Sequence, residues 1–232
     1  MAVFRRCRVF GVATAALMVA AVVSGCTSGR ALESIERSGE MTESTKRVGD
    51  EGVSTIYLAG GCFWGVEKYM SLVNGVLEAE AGYANGTIDS PTYRDVTTGR
   101  TGFTETVRVE YDPDVAPLPF LLDLFYKAID PTTLNRQGND VGSQYRSGVY
   151  YTDPADRAIV EESLVRLQEQ YEKTVVVEAE PLTSYTSAED YHQDYLDKNP
   201  GGYCHIGLDL FQKAADAVPD ASQLPAASDV EL

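Results

Sequence analysis

"TETVRVEYD", residues 104–112, alternates with a period of two. Val107, Val109 and Tyr111 fall on one face; Thr106, Arg108 and Glu110 fall on the other. A strand that is apolar on one side and charged on the other belongs to a sheet covered by helices on one face. Around it, "STIYLA" (54–59), "VLEAEAGYA" (76–84), "SGVYYT" (147–152) and "TVVVEAEPL" (174–182) read as further strands. Helices are expected from about Cys62 to Leu72, over "PLPFLLDLFYKAI" (117–129), and from Asp153 as cap and Pro154 as first position to about Tyr171. A short helix over "SAEDYHQDYLDKN" (187–199) closes at Pro200-Gly201. Strands and helices interleave with irregular connections. The reading is an α+β fold: a two-layer α/β sandwich with a central mixed sheet of ferredoxin-like plait and an irregular C-terminal segment. No Gly-x-Gly-x-x-Gly follows a strand, which argues against a dinucleotide-binding sheet.

The 232 residues hold one domain with tails on either side. Apolar residues make up 44 % of the chain, enough for a packed core. Thirty-five acidic residues against 19 basic ones give a formal charge of −16. That surface repels nucleic acid and anionic lipid headgroups, so neither is expected as a main partner.

Residues 1–25 read as an export signal. Arg5, Arg6 and Arg8 precede an apolar run from Val9 to Val23, short for a spanning helix of about 20 residues. The run ends "VVSGC", which resembles a bacterial lipobox and makes Cys26 the expected lipidated N-terminus. Simple cleavage near Ser24–Gly25 is the other reading. Localisation in the bacterial cell envelope follows, with a membrane anchor at Cys26. Residues 26–52 are polar and charged and read as a tether, 53–212 as the domain, and 213–232 as a loose tail.

Cys7 lies in the leader and Cys26 at the lipobox, which leaves Cys62 and Cys204 in the folded part. In an exported protein two such cysteines can form a structural disulfide. The setting of Cys62 is unusual for a staple. In "LAGGCFWGVEKY" (58–69) it stands between a glycine pair and the single tryptophan of the chain. The glycines permit a sharp turn from strand to helix and put Cys62 at the helix N-terminus. Unpaired N–H groups and the dipole there favour a thiolate, so a depressed pKa and a nucleophile are expected. Phe63 and Trp64 offer aromatic faces suited to a small apolar group such as a methyl. The plainer alternative is a core cysteine with two core aromatics. Glu105 shares the face of Val107 and Val109. Desolvation there raises a carboxyl pKa and makes a general acid; a position at the solvated mouth of the strand would leave it idle.

"GGCFWGVE" (60–67) resembles the signature of peptide methionine sulfoxide reductase, class A. The resemblance continues through "AGYANG" (81–86), "PTYRDV" (91–96), "GRTGFTETVRVEYDP" (99–113), "RQGNDVGSQYRSGVYY" (136–151) and "HQDYLDKNPGGYCHIG" (192–207). It implies that Cys62 attacks a sulfoxide sulfur, with Phe63 and Trp64 walling the pocket for its methyl group. It implies that Tyr93 and Tyr145 hydrogen-bond the sulfoxide oxygen, that Glu105 protonates it, and that Asp140 holds the polar side. Cys204 is then the resolving thiol. The implied substrates are methionine-S-sulfoxide in oxidised proteins and peptides and as the free amino acid. The implied reductant is an external thioredoxin-like dithiol, with no cofactor and no metal, acting on a monomer. Three features depart from the family pattern. Phe103 stands where many relatives carry His or Tyr, no cysteine follows Cys204, and the end of the chain has no match in the family core. His192 and His205 read as packing or surface residues, with no third group for a hydrolase dyad and no metal spacing. Two other functions compete: a thiol peroxidase, and a lipoprotein that binds oxidised peptides and keeps Cys62–Cys204 as a fixed staple.

Overall fold

The computed structural model describes residues 52–224. The readings of residues 1–51, Cys26 among them, and of 225–232 lie outside those residues.

The central strand is the one that alternates. β3 (Thr104–Tyr111) runs antiparallel between β1 (Ser54–Gly60) and β2 (Val76–Ala84). The register sets Leu58 and Ala81 beside Val107, and Ile56 and Ala79 beside Val109. β6 (Ser147–Tyr151) joins β1 antiparallel, β7 (Glu178–Pro181) joins β6 in parallel, and β8 (Tyr185–Ser187) closes the far edge on β2. The order β7-β6-β1-β3-β2-β8 makes a six-stranded mixed sheet. Its inner four strands, with α1 (Phe63–Ser71) and α3 (Leu118–Ala128) as crossovers, have the ferredoxin-like arrangement expected.

The apolar face carries Ile56, Leu58, Val107, Val109 and Tyr111. They pack with Phe63, Val66 and Met70 of α1, Leu121 and Phe125 of α3, and Val160 of α4 (Asp156–Gln168). The opposite face is polar or aromatic. Arg108 pairs there with Glu78, Glu80 and Glu110, and Ala59, Ala84 and Tyr150 form a small second cluster.

Four expectations move. Pro154 precedes α4 instead of starting it, because Asp153 takes the Ala155 N–H on its side chain and the Asp156 N–H on its carbonyl. The strand expected over 174–182 shrinks to Glu178–Pro181, since Val175 N–H goes to Gln168 Oε1 and Val176 N–H to the Pro131 carbonyl. The helix expected over 187–199 is only α5 (Tyr195–Lys198), preceded by Asp194 in the left-handed region at φ 51°. The loose tail expected from 213 begins inside α6 (Leu208–Ala215). Ala214 there is fully buried, and Gln223 Nε2 later donates to Asp123 at 2.7 Å.

Candidate active site

β1 ends in the glycine pair, and both glycines are required by the geometry. Gly61 has φ +84°, and a Cβ on it would sit 2.5 Å from Gln137 Cβ. A Cβ on Gly60 would press to 2.7 Å on Ile129. The turn delivers Cys62 as N-cap of α1, with φ −60° and ψ 123°. The first two free amides of the helix then turn to the side chains of Glu105 and Cys62. Phe63 N–H donates to Glu105 Oε2 at 3.1 Å, and Trp64 N–H faces the Cys62 sulfur.

Glu105 is 1 % exposed, so of the two positions its alternation allowed it takes the buried one. Burial raises its pKa to about 8; the Phe63 N–H opposes this and the charge of Asp140 adds to it. Phe103, also buried, keeps the neighbourhood apolar. At neutral pH the carboxyl therefore holds its proton. Cys62 departs from expectation. Its pKa is raised, first by burial and then by the charge of Glu105, and the Trp64 N–H only partly offsets this. The favourable helix terminus is present, but at 7 % exposure the desolvation of a thiolate outweighs it.

Phe63 is buried and packs on Tyr83 and His192, with ring centroids 5.8 and 5.0 Å away. Trp64 is half-buried. Its indole stacks on Tyr195 at 3.7 Å and 11°, and its Nε1–H donates to His192 Nδ1 at 3.1 Å. Tyr93 opens α2 (Tyr93–Val96), whose N-cap Thr92 and Asp95 form a reciprocal capping box. Its hydroxyl meets that of Tyr145, which ends the 3₁₀ turn Ser143–Tyr145. Burial raises both phenols, and the negative charge at Glu105 raises them further, so both remain O–H donors.

Asp140, in the short ribbon of β4 (Arg136–Gln137) and β5 (Asp140–Val141), accepts the Tyr203 hydroxyl at 3.0 Å. Cys62 and Cys204 are both free thiols. The Cys204 sulfur lies against α1, 3.0 Å from where a Cβ on Gly65 would stand. Cys62, Glu105, Tyr93, Tyr145 and Asp140 are thus electrostatically linked, with Phe63 and Trp64 beside them.

Residues to which the sequence reading gave no role in the site hold it together. Glu189 takes Tyr83 O–H at 2.8 Å and the Tyr93 N–H at 2.9 Å. Gln193 binds both the N–H and the carbonyl of Ala81, and Asp194 N–H donates to the buried Glu67. His192 is 2 % exposed. The available signal was compositional: "EDYHQDY" packs hydrogen-bonding and aromatic side chains where a surface helix would show an apolar stripe. A cleft of 470 Å³ lined by Glu67, Glu78, Glu80, Asp190 and Asp194 contains neither cysteine. Among the described residues no group of carboxylates, histidines or cysteines is arranged to hold a metal ion.

The model of the peptide methionine sulfoxide reductase family matches residues 54–222. A peptide methionine sulfoxide reductase MsrA of Lachnoclostridium phytofermentans is 53 % identical over 163 residues, which are 70 % of this chain and 98 % of the relative. One from Clostridium perfringens is 55 % identical over 154 residues, 66 % of this chain and 98 % of the relative. Among solved structures, methionine sulfoxide reductase A of Corynebacterium diphtheriae superposes with a TM-score of 0.61 at 42 % identity. It covers 67 % of this chain and 79 % of that one. With the sheet order, the glycine turn and the cysteine–glutamate pair already in place, the chain belongs to the peptide methionine sulfoxide reductase family.

Proposed function

We propose that the chain reduces methionine-S-sulfoxide in proteins, peptides and the free amino acid, by thiol attack at Cys62 with Glu105 as acid. The observation that carries the mechanism is a carboxyl of 1 % exposure held by the amide next to the nucleophile, a burial that raises its pKa. A sulfoxide sulfur is a poor electrophile until its oxygen gains a proton. The hydroxyls of Tyr93 and Tyr145 hold that oxygen, and Trp64 with Phe63 bounds the methyl. Glu105 gives its proton to the oxygen as the Cys62 sulfur bonds the sulfoxide sulfur. The thiol proton of Cys62 passes to Glu105 and restores it. Oxygen then transfers to Cys62, methionine leaves, and Cys62 is a sulfenic acid. The raised pKa of Cys62 fits this order, since the thiolate is needed only once the acid has a substrate to protonate.

Cys204 attacks the sulfenic acid sulfur, water leaves, and a Cys62–Cys204 disulfide forms. A thioredoxin-like dithiol outside the cytoplasm reopens it. Asp140 orders the Tyr203 side of this segment, and its charge adds to the upward shift of both thiols. The protein acts as a monomer in the bacterial cell envelope, tethered through a lipid on Cys26 after removal of residues 1–25.

Turnover of methyl sulfoxides with dithiothreitol tests the reading. Wild-type protein is expected to reduce the S epimer and Cys62→Ser to reduce nothing. Turnover of peroxide in place of sulfoxide would replace it with a peroxidase. The mass of the mature N-terminus tests the anchor: a lipid-modified Cys26 supports it and an unmodified terminus removes it.

A further inference from the structure

Trp64 is held in two perpendicular ways. Tyr195 stacks on one face at 3.7 Å, which fixes the height of the indole but leaves it free to slide and turn in its own plane. The Nε1–H···Nδ1 bond to His192 supplies the missing in-plane constraint at 3.1 Å, across 128 residues of sequence. Accepting that bond requires a neutral imidazole with its proton on Nε2. Burial favours the neutral form; only Glu189, with Oε2 4.0 Å from Nε2, pulls the other way. The imidazole also touches the remaining recognition groups. Its centroid is 5.0 Å from Phe63 and 4.6 Å from Tyr93. Nε2 has no hydrogen-bond partner among the described residues, so the bond to Trp64 is the polar contact that orients the ring.

We propose that His192 is a positioning residue that locks the Trp64 indole in plane and thereby sets the room left for the alkyl group on the sulfoxide sulfur. The proposal rests on the reading of Trp64 as wall of the methyl pocket. A fixed wall accepts methyl and rejects a longer alkyl group; a wall that turns in its plane accepts both. One methylene in an apolar pocket is worth about 10–200-fold in discrimination. His192 does not touch the reacting atoms, so its loss acts on selectivity and KM before kcat.

The test compares methyl and ethyl p-tolyl sulfoxide as substrates, with dithiothreitol, for the wild-type chain, His192→Phe and His192→Asn. Phenylalanine keeps a ring of similar size and removes the acceptor. The asparagine amide oxygen stands near the position of Nδ1. His192→Phe is expected to shrink the methyl-over-ethyl preference to within about threefold, mainly through KM. His192→Asn is expected to restore most of it. Trp64 is the only tryptophan, so acrylamide quenching of its fluorescence reads the indole directly; it is expected to rise in His192→Phe and return in His192→Asn. A preference and quenching unchanged in a natively melting His192→Phe would overturn the proposal, as would an asparagine variant as permissive as the phenylalanine one. Should His192→Phe not fold, His192→Gln carries the same comparison, because its amide oxygen is displaced by one methylene. The quenching measurement needs no activity. A wild-type chain that reduced neither sulfoxide would therefore sink the reductase reading while quenching still judged His192.

Discussion

Glu105 Oε2 accepts the backbone N–H of Phe63 at 3.1 Å, from a strand 42 residues further along the chain. The bond ties the carboxyl of the central strand to the first amide after Cys62, the proposed acid to the proposed nucleophile. It fixes their separation without a charged partner that would strip the carboxyl of its proton. Burial does the rest and lifts the pKa to about 8.

Glu105→Gln should keep that bond through its amide oxygen and lose only the proton. Sulfoxide reduction in a single turnover is expected to fall by about 10²–10⁴-fold. The fold should survive, and the pH dependence of stability gives an independent signature. Below pH 4.5 the carboxyl is protonated whether the chain is folded or unfolded. Between 4.5 and about 8 only the folded chain keeps the proton. Wild-type stability therefore falls as pH rises through that window, by up to about 1.4 kcal/mol per unit, and Glu105→Gln should lack this component. Urea melts at pH 5 and pH 8 measure it. A loss of turnover below tenfold would remove Glu105 from the acid role.

Cys62 should titrate high in the substrate-free enzyme. The pH profile of its alkylation by iodoacetamide, in a Cys204→Ser background, is expected to have its midpoint above that of a free thiol at about 8.5. Glu105→Gln should move that midpoint down, because the glutamate charge is the second cause of the shift. A midpoint under 8 would mean that the helix terminus prevails over burial after all.

How much of this was legible depends on the range of the forces. Alternation in 104–112 marked the central strand and set Glu105 on the face of Val107 and Val109, since a period of two is a local property; whether that end of the strand is buried or solvated was not local. The glycine turn before Cys62 was equally local. The direction of the Cys62 shift was not, because the sequence displays the helix N-terminus but not the burial that opposes it. Residues 187–195 were misread as a helix for a related reason. Glu189, His192 and Gln193 bond Tyr83, Trp64 and Ala81, more than 100 residues away, and those bonds hold the backbone out of helical geometry.

The two thiols should separate the reaction into steps. Cys204→Ser is expected to make about one methionine per enzyme with a thioredoxin-type donor and then stop as a Cys62 sulfenic acid. Continued turnover with that donor would show that another group resolves it. Gly65→Ala probes the same step from the other side, since its Cβ would land 3.0 Å from Cys204 Sγ and 3.3 Å from Ile206. Displacing Cys204 should slow disulfide formation by about tenfold or more and leave the first burst of methionine intact. Quenched-flow assay of methionine and of remaining thiol distinguishes the two.

Gly61→Ala should unseat the nucleophile through the backbone. Its φ of +84° lies where an L side chain costs about 1–2 kcal/mol. The new Cβ would also stand 2.5 Å from Gln137 Cβ, and Gln137 cannot easily yield. It is 2 % exposed, its Oε1 takes the Asp130 N–H, and its Nε2 reaches the Asp130 carbonyl and Ser147. Strain and clash together are expected to cost about 2–4 kcal/mol in a urea melt. Relief by tilting the turn would carry Cys62 away from Glu105, so activity should fall further than stability predicts, even at temperatures where the variant is fully folded. A variant within 0.5 kcal/mol of wild type and fully active would show that the strand-to-helix turn does not depend on its left-handed glycine.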